Sequence, residues 1–377
     1  MRRRVLFIIN SLAGGGAERV MATLLAHSAP WHGRYEIALA LLDDEPRAYA
    51  VPEGITVHQF ASRGSLARAT FALRRLLSDW RPDVALSFLT RANVAAWLAR
   101  RHAMPLVISE RVNTSAHLSH GLAGQLSRRM VALAYPRADH LIAVSHGVAD
   151  DLAANFGVDR GKVTVLSNPV DLASIEASAA AAPEIEIEGP YVVAAGRLVE
   201  NKNFALLIDA FVDAQMPGKL VIIGEGPLRA DLEQRARDRG AADRIVLAGF
   251  VANPFPILAN ADLFVLSSNA EGFPNALVEA MALGRPVIAT NCASGPSEIL
   301  ADSRAADLDG LIFASHGTLV PTNDRSALAE ALRALRDPAL RARYGAAARR
   351  RAMAYSADAA AQRYWRVLEG AMMDGAQ

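Results

Sequence analysis

Two glutamates, Glu271 and Glu279, stand eight positions apart around the turn Gly272-Phe273-Pro274-Asn275. The apolar run 263–266 before them has the length of one buried strand. Residues 280–283, Ala-Met-Ala-Leu, are good helix formers closed by Gly284 and Pro286. The pattern predicts strand, turn and helix, with Glu271 at the turn and Glu279 inside the helix. Free backbone N–H groups at a helix start attract anions. A carboxylate repels phosphate but accepts hydrogen bonds from hydroxyls. Together they suit a sugar nucleotide, with the diphosphate on the helix start and the hydroxyls on the carboxylates. Taken alone, the two glutamates fit an acid/base pair equally well.

The cations such a ligand needs appear earlier. Gly196-Arg197 follows the apolar run 192–195, and Lys202 stands five residues after Arg197. Arg offers a planar fork and Lys a point charge, so the two could neutralise a diphosphate. In isolation, surface charge at a helix entry is an equally good reading. Gly14-Gly15-Gly16 follows the first apolar run and opens a helix, which suits a tight turn as well as a ligand loop. It lacks the third glycine of a dinucleotide fingerprint and the Lys-Ser/Thr of a P-loop. Gly224-Glu225-Gly226-Pro227 reads as a turn, and Asn168-Pro169-Val170-Asp171 as a hinge. Ser294-Gly295-Pro296-Ser297-Glu298 also follows a strand-like run. Asp307-Leu308-Asp309 has the form of a metal-binding Asp-x-Asp, but it sits in a loop after no strong strand and reads as solvated. No Gly-x-Ser-x-Gly elbow is present. His117, His120 and His146 lie in or near post-strand loops and read as structural.

The elements that must position these groups alternate. Strand-like runs at 5–9, 37–42, 55–60, 84–89, 106–109 and 141–144 are each followed by turn or helical sequence. The alternation restarts at 192–195, 220–223, 245–247, 263–266 and 287–289. Such alternation predicts parallel sheets covered by helices on both faces. The expectation is two doubly wound α/β domains facing across a cleft, spanning residues 1–171 and 190–355. Residues 172–189, with a small-residue run and an acidic alternation, form the expected linker. The helical segment 338–372 is expected to send its last part, 356–377, back to the first domain. With 377 residues, two cores are the natural division. A single cysteine, Cys292, excludes an intrachain disulfide framework, and no His/Cys cluster has zinc spacing. No secretory signal and no run long enough to span a bilayer are present, which points to the cytoplasm. Residues 1–170 carry 20 Lys/Arg against 13 Asp/Glu, whereas the remainder carries 20 against 26. A basic half invites an acidic surface such as anionic lipid, or simply has solvated helix faces.

In this order the motifs resemble a retaining glycosyltransferase of the GT-B fold, in family four. The matching pieces are Gly-Gly-Ala-Glu-Arg-Val at 15–20, Ser-Asn-Pro-Val at 167–170, Gly-Arg-Leu with Lys-Asn at 196–203, Gly-Glu-Gly-Pro-Leu at 224–228, Gly-Phe at 249–250, and Glu271 with Glu279. The resemblance implies that Arg197 and Lys202 clamp the diphosphate, Glu279 holds the ribose and Glu271 contacts the donor sugar. It places Gly15, Gly16, Gly196, Gly224, Glu225, Phe250 and the turn Gly272, Phe273, Pro274 and Asn275 at the donor. Where many relatives carry a histidine after a mid-domain strand, this chain has Glu110 and Arg111, the acceptor-side candidates. No metal or other cofactor is implied. The implied partners are a nucleotide-sugar donor, a glycan or polyprenyl-linked acceptor and an anionic membrane surface, with no nucleic acid. The Gly-Gly-Ala-Glu-Arg and Ser-Gly-Pro-Ser-Glu-Ile-Leu segments look like bacterial enzymes that build lipopolysaccharide, exopolysaccharide or lipid-linked oligosaccharides. The implied site is the inner face of the cytoplasmic membrane. A nucleotide-sugar epimerase of similar fold would need no acceptor, and a non-catalytic sugar-binding protein would have no use for the charged clamp.

Overall fold

Aliphatic runs of four to seven residues form most of the strands, buried on both faces as parallel sheets require. The computed structural model describes residues 2–100, 104–118 and 121–374; His120 lies outside them. The first sheet contains β1 (Arg3–Ile9), β2 (Tyr35–Leu41), β3 (Thr56–Gln59), β4 (Val84–Phe88), β5 (Leu106–Glu110), β6 (His140–Ala143) and β7 (Val163–Val165). Its order is β3-β2-β1-β4-β5-β6-β7, and every pairing is parallel. The second contains β8 (Tyr191–Ala195), β9 (Lys219–Ile223), β10 (Ile245–Gly249), β11 (Leu263–Leu266), β12 (Val287–Thr290), β13 (Ile312–Phe313) and β14 (Thr318–Val320). Its order is β10-β9-β8-β11-β12-β14-β13, parallel except for the β13–β14 pair. Each sheet is doubly wound. The order reverses between β1 and β4 in one and between β8 and β11 in the other, and ligands of such sheets bind beyond the carboxyl ends of the strands at these points.

The chain divides into two compact units. The first runs to Pro169 and regains the chain at Ala357, and the second is Val170–Ser356. The stretch 172–189 is not simply a linker. Asp171 caps a helix, Leu172–Ala179, by accepting from the Ser174 N–H at 3.0 Å, and the helix packs on helix Phe255–Asn260 of the second unit. The small-residue run that suggested a linker begins only where this helix ends. The segment 338–372 is two helices, Pro338–Ala352 and Ala357–Asp374, separated by the 3-10 turn Met353–Tyr355. The first of them belongs to the second unit and the last helix to the first. In that unit Trp365 is 2 % exposed, stacks on Trp31 at 5.0 Å between ring centroids, and meets Tyr35 and Phe7. No helix among the described residues is long and apolar enough to cross a membrane.

Candidate active site

The loops leaving β8, β9 and β11 are tied to one another. The Gly196 N–H donates to the Ile223 carbonyl at 2.9 Å, and the Leu198 N–H donates to that of Glu225 at 2.9 Å. A Cβ on Gly224, held at φ +138°, would lie 2.0 Å from the Gly196 carbonyl oxygen, so this glycine lets two strand-end loops meet backbone to backbone. Asn201 donates to the Ala270 carbonyl at 2.8 Å, and the Ser267 hydroxyl donates to that of Lys202 at 2.8 Å. Asn203 caps helix Phe204–Asp213 and donates to Asn269 at 3.0 Å and Asn323 at 2.8 Å. These bonds fix where Lys202 points. Its Nζ lies 2.6 Å from Glu271 Oε1, which also accepts from the Ser268 hydroxyl at 2.6 Å.

Glu271 is anchored from behind as well. Its carbonyl accepts from the Ser294 hydroxyl, and Gly295, at φ +96°, presses on the turn so closely that a Cβ there would lie 3.0 Å from the Gly272 carbonyl oxygen. Burial, with the Glu271 carboxylate beside it, pushes the Cys292 thiol up to about 12. Phe273 is buried against Tyr355, ring centroids 5.3 Å apart and edge to face, so the turn offers its backbone rather than this ring. Helix Asn275–Ala282 begins after Pro274 with no side-chain cap, and Glu279 within it is 8 % exposed. Arg197 and Glu225 are exposed, and Glu225 pairs with Arg229 at 3.1 Å. Phe250 follows β10 and is 79 % exposed, an uncovered aromatic at the end of a strand. Sequence reasoning placed these groups at strand ends but missed the serines and asparagines that hold them. Their signal was clustering: Ser267, Ser268 and Asn269 directly follow β11, and Asn201 and Asn203 flank Lys202.

In the first unit Gly15 precedes helix Gly16–Ala26, as the glycine loop predicted. Burial raises the Glu18 carboxyl in its first turn. The two acceptor-side candidates part company. Arg111 is 6 % exposed and committed to the fold: its guanidinium donates to Ser109 Oγ at 3.2 Å, to the Tyr364 hydroxyl and to Asn168 Oδ1, and lies over the Phe88 ring. Buried and held by these partners, it serves the packing of the first unit rather than an open acceptor surface, which departs from the expectation. Glu110 instead lines a largely apolar cavity of about 720 Å³ at the carboxyl ends of β1, β4 and β5, together with Asn10, Leu89, Arg91 and His117. Its carboxylate accepts from the Tyr135 hydroxyl at 2.6 Å and from the Arg111 N–H at 2.9 Å. His146 accepts from Arg160 at 3.3 Å and is structural. The Asp307-Leu308-Asp309 loop is solvated, and no group of three or more His, Cys, Asp or Glu that could hold a metal occurs among the described residues.

Residues 14–174 match the model of Glycosyltransferase Family 4, and residues 189–337 match that of Glycosyl transferases group 1. An N-acetylgalactosaminyltransferase of Campylobacter jejuni, named for an N-acetylgalactosamine-N,N'-diacetylbacillosaminyl-diphospho-undecaprenol acceptor, is 30% identical over 92% of this chain and 94% of its own. The chain belongs to glycosyltransferase family 4. The lipopolysaccharide 1,6-galactosyltransferase of Escherichia coli is 27% identical over 79% of this glycosyltransferase and 82% of its own chain. Among solved structures, HepE of Anabaena in complex with UDP superposes at a TM-score of 0.74, with 22% identity over 98% of this chain and all of the other. Sucrose-phosphate synthase of Thermosynechococcus elongatus superposes at 0.79 with 18% identity, over 98% and 99% of the two chains. The doubly wound pair of sheets is that of the GT-B class.

Proposed function

We propose that this glycosyltransferase moves a hexosyl or N-acetylhexosaminyl group from a UDP-sugar to a lipid-linked or membrane-anchored glycan, with retention at the anomeric carbon and without a metal. The observation that carries the donor side is the Lys202–Glu271 pair at the switch point of the second sheet. Lys202 and Arg197 take the diphosphate, and the backbone of the turn Gly272 to Asn275 supports it. A diphosphate competes with Glu271 for Lys202, which turns the carboxylate toward the hydroxyls of the sugar. Glu279 holds the ribose, and the uncovered Phe250 ring suits the base. The acceptor class and the N-acetylhexosamine donor draw on the C. jejuni relative. The acceptor hydroxyl attacks the face that the diphosphate leaves. The protein's main contribution is to stabilise charge on that leaving group, and one preorganised charge contact is worth about 10²–10³ in rate. Lys202→Ala and Arg197→Ala should each lower turnover by that factor with UDP-N-acetylgalactosamine and a polyprenyl-diphosphate-linked sugar, the fold remaining intact by circular dichroism. Near wild-type turnover in both variants overturns the clamp. The anomeric configuration of the product, read by NMR, tests retention.

A further inference from the structure

A row of buried polar side chains crosses the first unit and ends at the cavity. The Ser87 hydroxyl donates to Asn93 Oδ1 at 2.8 Å, and Asn93 Nδ2 donates to the Tyr135 hydroxyl at 2.9 Å. The Tyr135 hydroxyl donates to Glu110 Oε2 at 2.6 Å. Ser87, Asn93 and Tyr135 are 0 % exposed and Glu110 is 1 % exposed. Left unpaired away from water, each such group would be destabilising, so the row is stable only when complete. Its direction follows from chemistry. The Asn93 oxygen is occupied by Ser87, so the Asn93 nitrogen donates to Tyr135 and leaves the phenol proton for Glu110.

Glu110 Oε1 accepts from the N–H groups of Arg111 at 2.9 Å and Val112 at 3.3 Å. Three donors and no acceptor surround this carboxyl, an environment that fits the charged form. A carboxylate has about four lone-pair sites, so one is left. Glu110 lines the cavity, where that site can be used. Leu89, in the wall of that cavity, is held at φ 75° and ψ 142°, a conformation that side chains rarely adopt and that gathers at functional sites.

We propose that the remaining lone pair of Glu110 receives the hydrogen bond of the acceptor's reacting hydroxyl, and that Tyr135 and Asn93 are positioning residues that keep the carboxylate charged and aimed. This rests on the transferase reading above. Burial raises the Glu110 carboxyl, and the bonds from Tyr135, Arg111 and Val112 with the Arg111 charge lower it, leaving it above the ordinary range. Among the described residues, Arg91, paired with Asp43, and His117 are the other ionisable groups lining the cavity. Losing the Tyr135 hydroxyl removes a donor to the charged form and raises the carboxyl further.

The test is a cycle of Tyr135→Phe, Glu110→Gln and the double variant. It is assayed with UDP-N-acetylgalactosamine and a polyprenyl-diphosphate-linked N-acetylhexosamine across pH 5–9. Glu110→Gln should lower kcat/KM for the acceptor by about 10²-fold. Tyr135→Phe should lower it by about tenfold and move the acidic limb of its pH profile upward, with UDP affinity unchanged in both. The double variant should fall no further than Glu110→Gln, because Tyr135 acts through Glu110. Tryptophan-fluorescence melts confirm folding. A Tyr135→Phe profile that overlays wild type, or effects that simply add in the double variant, overturn the inference alone. A wild-type protein that transfers nothing to any acceptor overturns the underlying reading, and the inference with it.

Discussion

Asp43 and Arg91 show how a single ion pair is placed beside the first-unit cavity. Asp43 follows β2 and Arg91 opens the helix after β4, so the two side chains meet across the end of β1, which lies between these strands. Burial raises the Asp43 carboxyl, but the hydrogen bond from Arg91 and that from the Gly64 N–H outweigh it, and the group titrates below the usual carboxylate range. A carboxylate with a depressed native pKa stabilises the fold above its unfolded value and loses that contribution as pH falls through the folded value. Asp43→Asn should therefore destabilise the first unit at pH 7 by roughly 1–3 kcal/mol, since it leaves Arg91 without its charged partner. The difference from wild type should begin to shrink as pH falls below about 4, where the unfolded carboxyl takes up its proton, and should close as pH falls further through the depressed native value. Urea unfolding at pH 7 and pH 3 measures it, and a difference independent of pH contradicts the assignment. Candidate site groups could be chosen from the sequence because Lys202 and Glu271 lie in the loops after strand-like runs and Glu110 ends one. Arg111 was misread for the same reason: its position at a strand end is right, but its side chain turns inward to Ser109, Asn168 and Tyr364, which lie two, 57 and 253 residues away. Spacing along the chain carries no signal for such partners.

Helix Ala357–Asp374 closes the core of the first unit from nearly 190 residues beyond it, and Trp365 is its anchor. All four tryptophans, Trp31, Trp80, Trp97 and Trp365, belong to this unit, so fluorescence reads it alone. Trp365→Ala removes a large ring from contact with Phe7, Trp31 and Tyr35 and should cost about 3–5 kcal/mol. Urea unfolding followed through the three remaining tryptophans should show the midpoint falling, while UDP binding, assigned here to the second unit, persists at low urea. An unchanged midpoint would mean that the helix is an appendage rather than part of the core. Strands of four or more aliphatic residues were readable to within about two positions. The short strands β7, β13 and β14 were not, because two or three residues carry no periodicity and their pairing partners decide them. Helix Leu172–Ala179 was hidden in the same way: only Asp171 and the buried Ile175 mark it within an alanine-rich stretch.

Over the whole molecule the charge division follows the units. With the last helix included, the first unit carries 22 Lys/Arg against 16 Asp/Glu. Phe250, Phe313 and Met353 are exposed singly in the second unit, whereas the exposed apolar side chains of the first unit include a group on two of its helices. Leu122, Leu126 and Leu133 on helix Leu122–Ala134 are 87, 62 and 47 % exposed, and Phe71 on helix Leu66–Trp80 is 74 % exposed. Positions 122, 126, 129 and 133 lie along one face of a helix, so the exposed Arg129 sits within the leucine stripe. Helix Thr90–Ala99 packs against both of these helices, which makes the exposed groups parts of one helical layer. Leucine and phenylalanine beside arginine is the pattern of a surface that enters the headgroup region of an anionic bilayer. Membrane association of this kind would bring a lipid-linked acceptor to the unit that carries Glu110. Sedimentation with vesicles should show stronger binding to anionic than to neutral lipid, weakening as salt shortens the reach of the charges. Arg129→Ala should cost about 1 kcal/mol, or roughly fivefold in affinity for anionic vesicles. Leu126→Asp should weaken binding to both kinds of vesicle, because it removes an apolar contact and adds a repelled charge. If wild type binds neutral and anionic vesicles equally, or if Leu126→Asp binds as wild type does, this layer is not the membrane face, and the basic excess of the first unit belongs to its solvated helices.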